Sequence, residues 1–202
     1  MVSQILAGIF TFEGLAVVLA IAYLLLAARQ NLWCWVCAFI SSAIYTVIFW
    51  DVSLLMESAL NVYYVVMAGV GFWQWRYGSQ QHSGLTIRRL HWRRHVLIIG
   101  GIVLLAVANG VLMQRFTSAA WPFVDAFTTW ASVVTTWLVV RKVLENWLYW
   151  LVIDSISIYL YLDRELYLTA ALFAGYVVIV IFGYRQWARE YRYSGHDLAS
   201  MG

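Results

Sequence analysis

The chain has 202 residues, of which 63% are apolar and 11% charged, and it carries a net charge of +3 at neutral pH. Soluble proteins carry about a quarter charged residues, so a domain folding around an aqueous-phase core is excluded and lipid is the solvent for most of this chain. The single proline points to largely unbroken helices and away from an outer-membrane barrel.

A spanning helix needs roughly 20 mostly apolar residues, and the sequence supplies seven such segments. The first, Ile5 to Ala28, carries Glu13. It has no basic stretch before it and no evident cleavage site, so it is expected to be a retained helix. The second, Leu32 to Trp50, contributes Trp35, Ser42 and Tyr45, and holds Cys34 and Cys37 in a CxxC. Two thiols cannot complete a four-ligand zinc site, and buried cysteine is usually inert packing, so no metal is expected. The third, Leu54 to Trp75, aligns Glu57, Asn61, Tyr64, Gly71 and Trp75 on one face. A basic loop leads to the fourth, Val96 to Met113. The fifth, Pro122 to Val140, opens on the proline, where a helix loses no hydrogen bond, and carries Asp125, Thr128, Ser132 and Thr135. In the sixth, Trp147 to Leu162, the residues Trp147, Trp150, Asp154, Ser157 and Tyr161 fall within an arc of about 80°. The seventh runs from Leu166 to Tyr184.

The chain also repeats itself. Asn31-Leu-Trp-Cys-Trp35 and Gly71-Phe-Trp-Gln-Trp75 return as Asn146-Trp-Leu-Tyr-Trp150 and Gly183-Tyr-Arg-Gln-Trp187, at offsets of 115 and 112. These offsets predict a three-residue deletion between the motifs of the second copy. Seven spans then divide as three, one and three, and the odd connector gives both triplets the same orientation. The predicted fold is an all-α integral membrane protein with parallel repeats related by an axis along the membrane normal, as in SWEET-type carriers. The corresponding segments are a first repeat over 1–78, a basic loop and connector over 79–118, a second repeat over 119–192 and a cytoplasmic tail over 193–202.

Orientation follows from charge. With the N-terminus outside, Arg29, Arg76, Arg88, Arg89, Arg93, Arg94, Arg141, Lys142, Arg185, Arg189 and Arg192 all face inward, eleven of the thirteen basic residues. Only Arg115 and Arg164 stay outside, an asymmetry that follows the positive-inside rule and puts the C-terminus in the cytoplasm. Topology and anionic lipid account for the arginines beside Trp92, so no nucleic-acid partner is expected.

Polar residues within the spans are the candidate site. A carboxylate well inside a span costs about 2.5 kcal/mol on insertion scales and marks a pathway or ligand by default, which singles out Asp154. Trp33, Trp73, Trp121 and Trp187 suit an interfacial aromatic belt. Retinal chemistry needs a lysine in the last helix, and the only lysine is Lys142. His82, His91, His95 and His196 lie in loops or the tail, leaving no intramembrane protease arrangement. No catalytic residue and no cofactor are expected.

The run Arg141-Lys142-Val-Leu-Glu145-Asn146-Trp147-Leu-Tyr-Trp150 resembles the RKxxENWxxW signature of the PnuC vitamin transporters. Phe12-Glu13, Pro122-Phe-Val-Asp125, Gly71-Phe-Trp-Gln-Trp75 and Leu166-Tyr-Leu-Thr169 are similar to other parts of that family. The resemblance implies a homotrimeric inner-membrane carrier moving a dephosphorylated B-vitamin by facilitated diffusion, with trapping by cytoplasmic phosphorylation. It implies a ring site at Trp147 and Trp150, with Asp154, Asn61, Tyr64 and Tyr176 around it, where nicotinamide riboside carriers have glutamine at the place of Asn61. Trp35 and Glu13 are further candidates from the first two helices. A pyridinium charge is attracted to aromatic faces by ~0.5 to 2 kcal/mol, and Asp154 would add a counter-charge. Thiamine would suit the same groups. A sugar gives no reason for Asp154, and a receptor without transport is the remaining alternative.

Overall fold

A computed structural model of the protein describes residues 2–51, 55–78, 84–116, 121–163, 165 and 167–199. Leu54, His82, Arg164 and Leu166 lie outside the described residues. The helices are α1 (Val2–Ala28), α2 (Cys34–Asp51), α3 (Leu55–Tyr77), α4 (Trp92–Phe116), α5 (Pro122–Val140), α6 (Asn146–Asp163) and α7 (Tyr167–Ala199). Each of the seven apolar segments falls in one helix. Pro122 opens α5 as anticipated, and α7 continues unbroken into the region expected as tail.

Four stretches among the described residues, 34–51, 92–116, 122–140 and 169–193, are long and apolar enough to cross a membrane by length and composition. Phe12–Ala28 of α1 is apolar but shorter. The two remaining helices carry most of the polar groups of interest, Asn61 and Gln74 on α3 and Asp154 and Ser157 on α6.

The chain forms two compact units, residues 1–86 and 87–202. In the first, α2 packs against both α1 and α3. Ser41 Oγ donates to the Ala16 carbonyl at 2.8 Å and Ser58 Oγ to the Thr46 carbonyl at 2.9 Å, so small hydroxyl residues hold both helix contacts. In the second unit α4 packs on α5, and α6 packs on both α5 and α7. Gly110 lets Phe123 approach the α4 backbone.

The two units repeat each other in local geometry, with a register that the aromatic motifs misreport. Helix α1 ends in a left-handed residue, Gln30 (φ 54°), with Gln30 N–H donating to Ala27 and Asn31 N–H to Leu26. Helix α5 ends on Lys142 (φ 47°), with Lys142 N–H donating to Val139 and Val143 N–H to Leu138. Both are Schellman caps, which satisfy carbonyls otherwise orphaned at a helix end. A side chain other than glycine in that conformation costs about 1 to 2 kcal/mol, so the same unusual choice is made twice.

A tryptophan–glycine–tryptophan packing repeats at the same spacing. The Trp35 and Trp75 rings meet edge to face at 5.3 Å and 86°, and those of Trp147 and Trp187 at 5.5 Å and 87°. A Cβ on Gly71 would sit 2.5 Å from the Trp35 ring, and one on Gly183 would sit 2.7 Å from Trp147. The pairs 30 and 142, 35 and 147, 71 and 183, and 75 and 187 all differ by 112, so no deletion is needed. The structural partner of Trp35 is Trp147, and the resemblance of Trp35 to Trp150 is a coincidence of tryptophan-rich lettering.

Real Cβ atoms do not approach to 2.5–2.7 Å, and each indole is held against a second ring one turn along the glycine's own helix. Gly71→Ala and Gly183→Ala should therefore each destabilise by ~1 to 3 kcal/mol, the usual cost of overpacking, seen as an earlier far-UV circular dichroism melt in detergent. Gly69→Ala and Gly175→Ala meet nothing within 4 Å and should melt like the parent or slightly later. Equal effects at all four positions would remove the packing explanation.

Candidate functional site

The turn from α5 to α6 holds most of the signature residues, and each has a local physical task. Arg141 lies over the Trp137 ring at 5.4 Å. Lys142 takes the left-handed cap position. Around Val143 the chain is extended and forms a parallel bridge to Arg88, with Arg88 N–H donating to Lys142 O at 3.0 Å and Leu144 N–H to Arg88 O at 2.9 Å. Glu145 is 7% exposed; it accepts from Arg89 Nε at 2.9 Å and from the Leu90 N–H at 3.3 Å. The hydrogen bond and the charge of Glu145 raise the affinity of the Arg89 guanidinium for its proton. His95 Nε2 stands 3.9 Å from the second Glu145 oxygen, and its Nδ1 meets Tyr149 Oη at 3.0 Å. The segment before α4 is thereby tied to the start of α6.

Beyond the turn, α6 aims its residues in two directions. Trp147 is 2% exposed and lies against Gly183 and Trp187 of α7. Trp150, about 60° round the helix, packs toward the cluster of Ile102, Ala131 and Ile153, with Trp130 and Phe127 beside it. The two tryptophans of WxxW thus belong to different neighbourhoods, one ring enclosed and one partly accessible. Asp154, two turns beyond Trp147 on the same side, is 5% exposed. Among the described residues no basic group pairs with it. Ser157 on the same face is also buried. Tyr176 continues an aromatic row with Phe173 at 5.2 Å and, through it, Tyr161 at 5.0 Å.

In the first unit Trp35 is buried between Trp75 and Tyr23, whose ring centroid is 6.1 Å away. Tyr64 is half-buried on α3 beside Tyr63 at 5.8 Å. Asn61 donates to the Glu57 carbonyl of its own helix at 2.9 Å. Glu13 is exposed on α1. At the shared spacing Tyr64 matches Tyr176 and Glu13 matches Asp125, whereas Ser42 stands where Asp154 does and Asn61 where Phe173 does. The indole N–H groups of both Trp35 and Trp147 are buried without a hydrogen-bond partner, as are Thr135 Oγ1, Asn146 Oδ1 and Gln186 Oε1.

Three findings differ from or extend the expectations. Trp187 does not belong to an interfacial belt; it is fully buried as the edge partner of Trp147. Trp33 and Trp73, at 67% and 62% exposure, do suit the belt. Tyr23 and the Glu145 linkage were not singled out by sequence reasoning. Tyr23 meets Trp35 across two helices, a contact that sequence periodicity does not encode, and Glu145 carried no signal beyond its place in the signature. Among the described residues no group of three or more His, Cys, Asp or Glu is placed to hold a metal.

Comparison with known proteins gives this arrangement a context. Residues 11–189 match the family model described as nicotinamide mononucleotide transporter. The riboflavin/roseoflavin transporter RibM of Streptomyces davaonensis is 23% identical over 84% of this chain and 81% of its own length. The nicotinamide riboside transporter PnuC of Escherichia coli is 24% identical over 77% of this chain and 76% of its own. The crystal structure of a vitamin B3 transporter PnuC shares the fold, with a TM-score of 0.69 at 21% identity, covering 88% of this chain and 80% of that one. With the signature turn, the membrane-length helices and a match spanning nearly the whole sequence, the chain belongs to the PnuC-like nicotinamide mononucleotide transporter family of multi-pass membrane vitamin transporters.

Proposed function

We propose that the protein takes up nicotinamide riboside across a bacterial inner membrane by facilitated diffusion, with cytoplasmic phosphorylation trapping the product. The observation that carries this reading is Asp154, a buried carboxylate with no cationic partner among the described residues, on the tryptophan-bearing helix of the signature. An intramembrane acid left uncompensated is costly, and a substrate with a fixed positive charge compensates it only while bound. The aromatic side chains of α2, α3 and α6 supply faces that attract such a cation. A phosphorylated nucleotide would bring about −1.5 to −2 charge at neutral pH beside that acid, which argues for the dephosphorylated vitamin. Thiamine, also an aromatic cation, is the second reading on the same observation. Riboflavin, the substrate in the name of one relative, lacks the charge and leaves Asp154 without a purpose.

In this reading the chain spans the membrane seven times, as three, one and three helices with parallel triplets, N-terminus outside and C-terminus in the cytoplasm. Each protomer of a homotrimer has its own path. The candidate substrate-binding residues are Trp150, Asp154 and Tyr176 in the second unit and Trp35, Asn61, Tyr64 and Glu13 in the first. Trp147 acts there through the packing of α6 on α7 as well as through its ring.

Purified protein in liposomes should exchange labelled nicotinamide riboside in counterflow, and a carrier-free receptor would not. Because a moving cation gains about 2.3 kcal/mol per 100 mV, uptake should rise with an inside-negative potassium diffusion potential and need no sodium or proton gradient. A flat voltage response would rule out uncoupled movement of a cation. Asp154→Asn removes the charge and keeps the shape, so it should weaken the cationic vitamin far more than its uncharged reduced-ring analogue; equal weakening would leave Asp154 a structural role only. Trp150→Ala should lose ~1 to 3 kcal/mol of binding by calorimetry, the range for a ring stacked on an aromatic, in a protein that still folds. Unchanged affinity would take Trp150 out of the site.

A further inference from the structure

The strongest feature outside the transport path is a cation cluster at one end of the second unit. The bridge between Arg88 and Val143 brings the Arg88 backbone beside Arg141 and Lys142. The next residues of the chain open α4 with Trp92, Arg93 and Arg94. Arg89 is matched by Glu145. Arg88 has the opposite surroundings: partial burial, and the nearness of Arg141 and Arg94, push its guanidinium below its ordinary range. Arg93 lies over the exposed Trp92 ring at 5.7 Å, an arginine–indole pair suited to the level of lipid headgroups.

Directly along α4 from these cations the helix presents hydrocarbon. Arg93, Leu97, Gly100 and Leu104 fall within an arc of about 60°. Leu97 and Leu104 are 75% and 71% exposed, and nothing lies within 4 Å of a Cβ placed on Gly100. From Arg93 to Leu104 the stripe is about 16 Å long, the scale of an acyl chain, with a notch at the glycine between two leucines.

We propose that this surface is a binding site for one anionic phospholipid, its phosphodiester held by Arg88, Arg93 and Arg94 and an acyl chain lying in the Gly100 notch of α4. Charge complementarity and the continuity of cation, indole and hydrocarbon along one helix face select a lipid over a free anion, which would use only the upper third of it. The bound headgroup relieves the repulsion within the cluster and so stabilises the junction that ties the loop before α4 to the start of α6. The site is separate from the vitamin-binding residues, so its failure would leave the transport reading untouched.

The test is native mass spectrometry of the purified protein in neutral detergent with an equimolar mixture of dioleoylphosphatidylglycerol and dioleoylphosphatidylcholine. The parent should retain the anionic lipid preferentially, by about fivefold for each arginine engaged. Arg88→Gln with Arg94→Gln should lose most of that preference, Gly100→Phe should lower retention with all charges intact, and Arg192→Gln should behave like the parent. Equal retention of the two lipids by the parent, or an unchanged preference in the double variant, would overturn the site. If the double variant does not fold, the salt titration of the parent decides: the preference must fall as salt screens the contact, and indifference to salt would overturn it. Stabilisation by inorganic phosphate equal to that by phosphatidylglycerol would make this a free-anion site. Disulfide formation between copies carrying Leu104→Cys in native membranes would give the face to a second protomer. Either result would also overturn the lipid proposal.

Discussion

A flat indole laid on a helix backbone, with a second indole of that same helix at right angles to it, is the contact on which both halves of this protein depend. It requires glycine at one position, because any Cβ there would enter the ring. It places a tryptophan at the first turn of the helix that follows a tight cap, and its broad flat ring covers the glycine of the next helix. In lipid there is little hydrophobic force between helices, and association depends on close packing and small residues at the contact. Trp35 on Gly71 and Trp147 on Gly183 supply that closeness at matching positions of each unit. The Schellman caps at Gln30 and Lys142 fix the angle at which the tryptophan-bearing helices start.

The shared scaffold lets the two halves diverge in chemistry without diverging in shape. Where the first unit has Tyr23 beside its buried tryptophan, the second has Thr135; where the first has Ser42, the second has Asp154; Cys34 becomes Asn146. At these positions the second half gains an acid and an amide and loses a ring, whereas at Asn61 and Phe173 the amide belongs to the first half and the ring to the second. A duplicated frame provides two matched positions at which each kind of group can be changed independently. The Glu145 linkage belongs to the second half alone. Its place in the first half is taken by Trp33, which is exposed, so the bond to the loop before α4 was added to one copy of the turn only.

Much of this was legible in the sequence, for identifiable reasons. Helix existence followed from runs of apolar residues, which in a chain this poor in charge have no alternative solvent. Pro122 marked a helix start because its ring tolerates only that position. The duplication was visible, but its register was not: twelve tryptophans in a short chain make chance alignments easy, and Asn-x-Trp-x-Trp against Asn-Trp-x-x-Trp matched letters without matching turns. What fixes the true register is backbone conformation at Gln30 and Lys142, and neither residue type announces a left-handed cap the way glycine would. Trp187 resembles a belt residue in sequence because it sits among arginines at the end of an apolar run, whereas in the structure it packs edge-on against Trp147, one turn beyond Gly183. Asp154 stood out in sequence because a lone carboxylate in an apolar helix has few harmless explanations. Glu145 did not, because its partner Arg89 is distant in the chain.

The buried, unpartnered indole N–H groups of Trp35 and Trp147 have a spectroscopic consequence. A buried indole with no hydrogen-bond partner emits at the blue edge of the tryptophan range, while the exposed Trp33, Trp73 and Trp92 emit to the red. The emission spectrum is therefore a composite in which the pair that holds the helices together and the residues at the surface occupy opposite flanks. On the function proposed above, a bound pyridinium, itself an electron acceptor, would quench by contact. On that reading, loss confined to the middle of the band would report the proposed contact at Trp150, and a change at the blue edge would report the buried indoles, Trp130 among them, so one titration separates occupancy from conformational change.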